Sequence, residues 1–178
     1  MTIEILSPQV IDQISAGEVV ERPAHLVKEL VENSLDAGAQ NIEVDFSEGG
    51  RQVTVKDDGC GMSVKDLTLS VARHATSKIK IAEDLWSLST YGFRGEALAS
   101  ISAVSDFTLV SREEHSSTAY SLNCHFGQID EAVEVGGDQG TLVQVKKLFE
   151  NIPVRKKFLK SDLAESSQIK QVLKAMAL

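Results

Sequence analysis

The sequence predicts an α+β domain, a two-layer α/β sandwich in which helices cover one face of a mixed, mainly antiparallel sheet. Three patterns lead to this prediction. A long amphipathic helix is bracketed by Pro23 and Gly38, strand-like alternation fills residues 42–55 and 104–145, and residues 153–178 resemble one or two further helices. Strands joined by short turns pair antiparallel, so the helices must bury their apolar sides against one face of that sheet.

The first helix is defined by its ends and by its apolar face. Pro23 suits the first helical turn and Gly38 stands where a left-handed C-cap is usual, so the helix should run to about Asp36. One face at helical spacing consists of Leu26, Val27, Leu30, Val31 and Ser34. The polar flank of the same helix aligns Glu29, Asn33 and Asp36.

A β-hairpin follows this helix. Residues 42–46 alternate as a half-buried strand, residues 48–50 have the composition of a turn, and a second alternating strand carries Val53 and Val55. The hairpin therefore begins the predicted sheet.

Two loops then lead into helices. Residues 57–62 precede a short helix, for which Ser63 and Asp66 have the spacing of an N-cap and its N3 partner. The glycine-rich residues 92–98 lead into another helix, after a short helical piece at 85–88.

The remaining strands lie between residues 104 and 145, with turns near Gly127 and at residues 136–137. Their alternating apolar positions are Phe107, Leu109, Leu122, Val133, Val143 and Val145. The closing helical segment opens with the basic residues Arg155, Lys156 and Lys157.

The composition indicates one globular domain. The 178 residues are enough for one well-buried core and few for two, and 42% are hydrophobic while 25% are charged. A net charge of -8 argues against a surface coated in cations, so contact with nucleic acid would need a local basic patch.

The N-terminus has no signal-peptide pattern and no apolar run reaches about 18 residues, which predicts a cytoplasmic protein. Cys60 and Cys124 have neither disulfide nor zinc spacing, and no Walker A sequence is present.

Glu29 and Asn33 are the first candidate site residues, because positions i and i+4 project side by side from a helix. A carboxylate can take a proton from water, and an amide oxygen can coordinate Mg²⁺ without adding charge. The same spacing is common on solvated helix flanks, so it does not decide between the two interpretations.

Two glycine-containing loops are further candidates. Asp57 stands at a strand end, where its carboxylate can accept a hydrogen bond from an exocyclic amine, and Gly59 and Gly61 allow close approach of backbone. Residues 92–95 offer free amides before a helix, which attract phosphate oxygens, and Thr76, Ser77 and Lys78 add hydroxyls and an ammonium. Taken singly, each of these stretches is also an ordinary turn or loop.

The order of these segments resembles the MutL family of DNA mismatch repair proteins. The blocks that carry the resemblance are residues 29–39 (ELVENSLDAGA), 57–61 (DDGCG), 75–78 (ATSK), 92–98 (GFRGEAL), 13–23 (QISAGEVVERP) and 151–159 (NIPVRKKFL). Matching is weak only over residues 113–135. The family belongs with gyrase, a heat-shock chaperone and histidine kinases to a superfamily with a two-layer ATP-binding fold, the Bergerat fold, which lacks a Walker A loop.

The resemblance implies roles for individual residues. Glu29 would be the general base that activates the attacking water, and Asn33 would hold the Mg²⁺ that bridges the phosphates of ATP. Asp57 would read the adenine amino group, and Thr141 would support the adenine end from the sheet. The other implied ATP contacts are Gly59, Gly61, Met62, Thr76, Ser77 and Lys78, together with a lid formed by Gly92, Phe93, Arg94, Gly95, Glu96, Ala97 and Leu98.

The resemblance also implies a switch and its partners. Residues 1–178 would be a MutL-type ATP-binding domain that stops before a second, transducer domain, whose lysine reaches the γ-phosphate in the family, so this fragment should bind ATP and hydrolyse it poorly. ATP binding would order the lid and promote self-association through residues 3–14, a stretch that can equally be a core strand and a short helix. The expected partners are DNA and the mismatch recognition protein MutS, with a nucleoid-associated location and no membrane contact.

A basic cluster near the C-terminal end and the residue after Asp57 bear on DNA and nucleotide binding. The candidate DNA contacts are Arg155, Lys156, Lys157 and Lys160, a cluster that can also be a solvated helix face. The family more often has Asn where this chain has Asp58, and an added carboxylate near phosphates is expected to weaken nucleotide binding or shift its Mg²⁺ dependence.

Two other classes of function compete with this one. A gyrase-like topoisomerase subunit or a kinase ATP lobe would share the fold, but the sequence of residues 92–98 argues against both. A non-catalytic DNA-binding or assembly module with a vestigial pocket is disfavoured by the complete set of Glu29, Asn33 and Asp57.

Overall fold

The computed structural model of the chain describes residues 11, 16–17, 19–72, 75 and 96–177. Its helices are α1 (Pro23–Asp36), α2 (Val64–Ser70), α3 (Ala97–Ala103), α4 (Pro153–Phe158) and α5 (Asp162–Met176). Its strands are β1 (Ile42–Ser47), β2 (Gln52–Asp57), β3 (Asp106–Arg112), β4 (Ala119–His125), β5 (Gln128–Ile129), β6 (Val133–Val135) and β7 (Gly140–Lys146).

The seven strands form one sheet. Their order is β1-β2-β7-β3-β4-β5, and β6 pairs with β4 beside β5. Every pairing in the described part of the chain is antiparallel. The predicted two-layer fold with a mainly antiparallel sheet is confirmed, and β7, the last strand in sequence, lies between β2 and β3.

Cross-strand rows of apolar residues make the core. In one row Val53 pairs with Val145, Val145 with Phe107, and Phe107 with Cys124. In the next row the partners are Val55, Val143, Leu109 and Leu122. All eight side chains are buried, because side chains alternate across a strand and these all point to the face that α1 and α3 cover. The opposite face is polar, as in the 2.9 Å hydrogen bond from Thr108 Oγ1 to Asn123 Oδ1.

Helix α1 forms as its sequence predicts. Pro23 occupies the first turn, and the helix ends at Asp36 with Ala37 as C-cap. Gly38 follows with φ +75°, the left-handed conformation that glycine adopts without steric cost. The predicted apolar face is buried at all five positions, including Ser34. The helix packs against β2, α3 and α5.

The hairpin and the helix cap are also confirmed. Residues Glu48–Gly50 turn the chain between β1 and β2 as a short 3-10 helix. Gly50 has no room for a side chain, since an added Cβ would lie 2.5 Å from both Pro23 and Ile169. The Ser63 hydroxyl accepts a hydrogen bond from the backbone N–H of Asp66 at 3.1 Å, which caps α2.

Other predicted elements have different outcomes. The closing segment forms two helices, α4 and α5, as predicted, and the predicted helical piece at 85–88 lies outside the described residues. Val133, placed among the alternating strand positions, lies on the short strand β6 and is 52% exposed. Both cysteines are free, as their spacing predicted. Among the helices described, none has the length and apolar character needed to cross a membrane.

Candidate functional site

Asp57, the last residue of β2, is a buried carboxylate with three donors around it. Its Oδ1 accepts hydrogen bonds from the backbone N–H of Gly59 at 3.0 Å and of Thr141 at 3.2 Å, and its Oδ2 accepts one from the Ser34 hydroxyl at 2.7 Å. The side chain is only 7% exposed. A carboxylate has about four acceptor positions, so Oδ2 can accept one further donor.

The bond from Ser34 joins the strand end to α1. Ser34 also lies 3.2 Å from the carbonyl of Leu30, but its single proton serves the shorter contact to the charged carboxylate. Asn33 is the neighbour of Ser34 in α1, and Glu29 lies about 6 Å along the axis from Asn33, one helical turn earlier. Asp57 is therefore held against the helix that carries Glu29 and Asn33.

Glu29 and Asn33 are both half-buried on α1. Their neighbours on the helix, Leu30 and Val31, are core residues, so the flank borders the core and is not fully solvated. Side chains at this boundary can meet a ligand while their orientation is restrained by packing.

The loop after Asp57 lies against the end of α1. Cys60 donates its backbone N–H to the carbonyl of Ala37 at 3.0 Å, and a Cβ on Gly59 would come within 2.9 Å of Ala37. Gly61 has φ +69°, and a Cβ there would collide with the carbonyl oxygen of Arg112. Both glycines are therefore required by close approach of neighbouring backbone.

Thr141 and Ser111 extend the site along the sheet. Asp57 pairs with Thr141, and Thr141 with Ser111, so the three side chains lie in one cross-strand row. The hydroxyls of Ser111 and Thr141 are 2.9 Å apart, and Ser111 also accepts the backbone N–H of Met62 at 2.9 Å. This polar row continues the face whose other rows form the core.

Asp58, the departure from the usual family residue, is held on the outside of the loop. Its Oδ1 accepts the backbone N–H groups of Gln40 and Asn41 at 2.7 and 2.9 Å, and its Oδ2 accepts the Asn41 side-chain amide at 2.7 Å. The hydrogen bonds from Asn41, followed by that from Gln40, lower the pKa of this carboxyl. Its charge thus serves the loop that joins α1 to β1.

The predicted lid is described only at its end. Glu96 precedes α3 as its N-cap residue, and Ala97 and Leu98 form the first helical turn. All three are half-buried, and Leu98 packs against the core. Thr76, Ser77, Lys78, Gly92, Phe93, Arg94 and Gly95 lie outside the described residues.

The candidate DNA contacts occupy α4 and the residues after it. The Arg155 guanidinium packs against the Cα of Gly17, and Lys156 forms a 2.6 Å ion pair with Glu150. Lys157 and Lys160 are exposed. Of the four cations, Lys156 is therefore already paired with a carboxylate.

Two site residues were not predicted as such from the sequence, Ser34 and Ser111. Each occupies a position where the helical or strand pattern places a core side chain, and each is at least 97% buried. A polar residue in an apolar series is the signal that could have found them, because a buried hydroxyl needs a partner.

Comparison with known proteins places this chain in a family. The family model described as "Histidine kinase-, DNA gyrase B-, and HSP90-like ATPase" matches residues 21–150. The DNA mismatch repair protein MutL of Haemophilus influenzae strain Rd is 49% identical over 180 residues, which cover 100% of this chain and 29% of the relative. MutL of Caldanaerobacter subterraneus is 49% identical over 177 residues, covering 99% of this chain and 30% of the relative. The chain thus spans under a third of the length of these relatives.

Solved structures agree with the sequence relatives. The Aquifex aeolicus MutL ATPase domain complexed with ADP has a TM-score of 0.69 and 36% identity, covering 89% of this chain and 56% of that one. The N-terminal domain of a DNA repair protein has a TM-score of 0.74 and 30% identity, covering 97% of this chain and 50% of that one. By its fold, its sequence and the matched residues 21–150, the chain belongs to the histidine kinase-, DNA gyrase B- and HSP90-like ATPases, within which it is related to the MutL mismatch repair proteins.

Proposed function

We propose that this chain binds and hydrolyses ATP as the switch domain of a DNA mismatch repair protein. The observation that carries the proposal is the 2.7 Å hydrogen bond between Ser34 and Asp57. It joins the residue predicted to bind adenine to the helix that carries the predicted general base, Glu29, and the predicted metal ligand, Asn33. A ligand with a nucleobase at one end and phosphates at the other fits such an arrangement.

The adenine end is formed by Asp57 and Thr141. The remaining acceptor position on Asp57 Oδ2 suits the amino group of adenine, and the base needs the room that Gly59 and Gly61 leave beside the loop. Met62 is half-buried against the core and supplies an apolar edge. The Aquifex aeolicus relative is named as a complex with ADP, which supports a nucleotide in the same fold.

The phosphate end is formed by α1 and the glycine-rich segment. Mg²⁺, when bound, neutralises phosphate charge, and the Asn33 side-chain oxygen is a ligand of the type it prefers. Glu29 takes the proton of the attacking water as that oxygen bonds to the γ-phosphorus and the bond to the leaving ADP oxygen breaks. Thr76, Ser77, Lys78 and residues 92–98 hold the phosphates through hydroxyls, an ammonium and backbone amides.

Binding of ATP acts as a signal in this proposal. Residues 92–98 order around the nucleotide, and residues 3–14 then promote self-association. DNA and MutS are the proposed partners of the whole protein, with Arg155, Lys156, Lys157 and Lys160 as the contacts to DNA phosphates.

Titration of the purified chain with a fluorescent ATP analogue, with and without Mg²⁺, tests the proposal. Asn33→Ala should lose the Mg²⁺-dependent part of the affinity, and Asp57→Ala should weaken binding roughly a hundredfold, since it removes a charged hydrogen bond to the base. Glu29→Gln should bind as wild type does and hydrolyse at least a hundred times more slowly in single-turnover measurements.

A matched control is Glu43→Gln, which neutralises an exposed carboxylate on β1, outside the proposed site. It should change neither binding nor turnover. The proposal fails if wild type does not bind at millimolar nucleotide, and the assignment of the base fails if Glu29→Gln hydrolyses ATP at the wild-type rate.

A further inference from the structure

Ser111 is a buried polar residue where three parts of the site meet. In β3 it follows Phe107 and Leu109 on the core-facing side, and it is 1% exposed. Its hydroxyl lies 3.0 Å from the carbonyl of Gly140, 2.9 Å from the Thr141 hydroxyl and 2.9 Å from the Met62 amide nitrogen. It therefore ties the loop after Asp57 to the first residues of β7.

The protons of these three contacts can be assigned by counting. A serine hydroxyl has one proton to donate and two lone pairs that accept. In the arrangement that makes all three hydrogen bonds, Ser111 donates its proton to the Gly140 carbonyl, and one of its lone pairs accepts from the Met62 N–H. In that arrangement the Thr141 hydroxyl donates to the second lone pair, and its own oxygen is left to accept from other groups.

The neighbouring carboxylate of Asp57 is likewise a hydrogen-bond acceptor. All three described contacts of Asp57 are donors to it, from Ser34, Gly59 and Thr141. The row that begins at Asp57 and continues through Thr141 thus presents acceptors only. At the 6 position a 6-amino purine offers a donor to such a row, whereas a 6-oxo purine offers an oxygen that the row repels.

We propose that Ser111 is a positioning residue for base selection: by fixing the Thr141 hydroxyl as an acceptor, it makes the site prefer 6-amino over 6-oxo purine nucleotides. This inference rests on the proposed nucleotide site. Without the Ser111 hydroxyl, Thr141 can turn its proton toward the base and donate to a 6-oxo group. Ser111 acts on the base through Thr141 without touching it.

The test compares the affinities of the whole chain for ATP and for inosine triphosphate, which has a 6-oxo group in place of the amine. In Ser111→Ala the affinity for ATP divided by the affinity for inosine triphosphate should fall roughly fivefold, which is the effect of one neutral hydrogen bond. Thr141→Val removes the hydroxyl but keeps the branched shape and the backbone N–H to Asp57, and it should lower the ratio similarly. In the double variant the ratio should equal that of Thr141→Val, because Ser111 acts only through that hydroxyl.

Ser105→Ala is the matched control. Ser105 is also a fully buried serine, and its hydroxyl donates to the Ile101 carbonyl at 2.6 Å at the end of α3. This variant can lower stability but should leave the affinity ratio unchanged, which separates base selection from general destabilisation.

The outcomes are distinct. The inference is overturned if folded Ser111→Ala keeps the wild-type affinity ratio, or if the effects of the two substitutions on that ratio add in the double variant. Either result leaves the proposed nucleotide site in place. If Ser111→Ala does not fold, Thr141→Val decides, and an unchanged ratio there overturns the inference. If wild type binds neither nucleotide, the proposed function itself fails.

Discussion

The Ser34 hydroxyl donates a 2.7 Å hydrogen bond to Oδ2 of Asp57, and this bond links α1 to the end of β2 inside the protein. Asp57 is 7% exposed and Ser34 is 3% exposed, so neither group can exchange this partner for water at low cost. The bond fixes the carboxylate relative to the helix that carries Glu29 and Asn33. Its strength should therefore affect ligand binding more than it affects folding.

Ser34→Ala tests that expectation. Losing a hydrogen bond to a charged acceptor should weaken ATP binding by about 1–2 kcal/mol, roughly tenfold in Kd. The change in unfolding free energy should be smaller, because alanine raises helix propensity by about 0.5 kcal/mol at an interior position. Fluorescence titration and thermal unfolding of the same samples measure both quantities.

Ser102→Ala is the control for this variant. Ser102 is likewise buried in a helix, α3, and donates to a carbonyl of its own helix, that of Ala99, at 2.9 Å. Its replacement should leave Kd within a factor of two. Equal losses of affinity in the two variants would contradict a specific role for the bond between Ser34 and Asp57.

Three glycines separate the cost of backbone conformation from the cost of steric collision. Gly61 has both a positive φ and the Arg112 carbonyl in the way, Gly38 has a positive φ with open space, and Gly136 has open space without a positive φ. Substitution by alanine should cost more than 2 kcal/mol at Gly61 and about 1 kcal/mol at Gly38, and should be neutral at Gly136. Chemical denaturation measures the order.

The same series reports on the site. Gly61→Ala must displace the loop that follows Asp57, so it should also weaken ATP binding, whereas Gly38→Ala should leave the affinity largely intact. If Gly61→Ala were as stable as Gly136→Ala, the close approach to Arg112 would not hold in solution.

Local signals allowed much of the fold to be predicted. Pro23 and Gly38 mark the ends of α1, and Ser63 with Asp66 marks the start of α2, because caps and turns are decided by neighbours in sequence. The position of β7 between β2 and β3 was not predicted. That placement depends on matching Val143 and Val145 to core residues of two other strands, and alternation alone is the same for any neighbour.

The candidate site also contains residues that were predicted from the sequence and residues that were not. Glu29, Asn33 and Asp57 were predicted as site residues because their residue types and order resemble a known family, and their roles stay a prediction. The structure brings Asp57 next to α1 through Ser34. The roles of Ser34 and Ser111 could not be predicted, since a serine within an apolar series does not reveal which distant residue its hydroxyl will contact. Their partners are 23 residues away for Ser34 and 29 or more for Ser111, and only the packed sheet reveals them.

Asp58 predicts a stability effect that depends on pH. Its pKa is lowered, first by the hydrogen bonds from Asn41 and then by that from Gln40, so the charged form is favoured in the folded state. A lowered folded-state pKa contributes stability above the unfolded-state value of about 3.9, and this contribution is lost as pH falls through the folded-state pKa. Asp58→Asn should therefore be less stable than wild type at pH 7, and the difference should narrow below about pH 4.

Thermal unfolding between pH 7 and pH 2.5 measures this difference. Asn41→Ala removes one of the donors to Asp58 and keeps its carboxylate, so it should show a smaller loss at pH 7 with the same narrowing in acid. A constant gap between wild type and Asp58→Asn at every pH would show that the carboxylate charge does not stabilise the loop.

The ion pair between Arg22 and Glu165 predicts the largest effect far from the site. Glu165 in α5 is 1% exposed, and its Oε1 accepts from Arg22 Nη1 at 2.7 Å and from the Lys160 backbone N–H at 2.8 Å. Arg22→Met keeps the apolar stem but leaves a buried carboxylate without its cation. The loss should be about 2 kcal/mol, below the 3–5 kcal/mol of a fully buried pair, because the Arg22 side chain is 32% exposed.

Adding Glu165→Gln to Arg22→Met completes the test. The glutamine oxygen can still accept from Lys160, and no uncompensated charge remains, so the double variant should recover at least half of the lost stability. Denaturant unfolding of the wild type, both single variants and the double variant gives the coupling free energy. A double variant less stable than Arg22→Met would show that the cost lies in lost packing at the start of α1 and not in the buried charge.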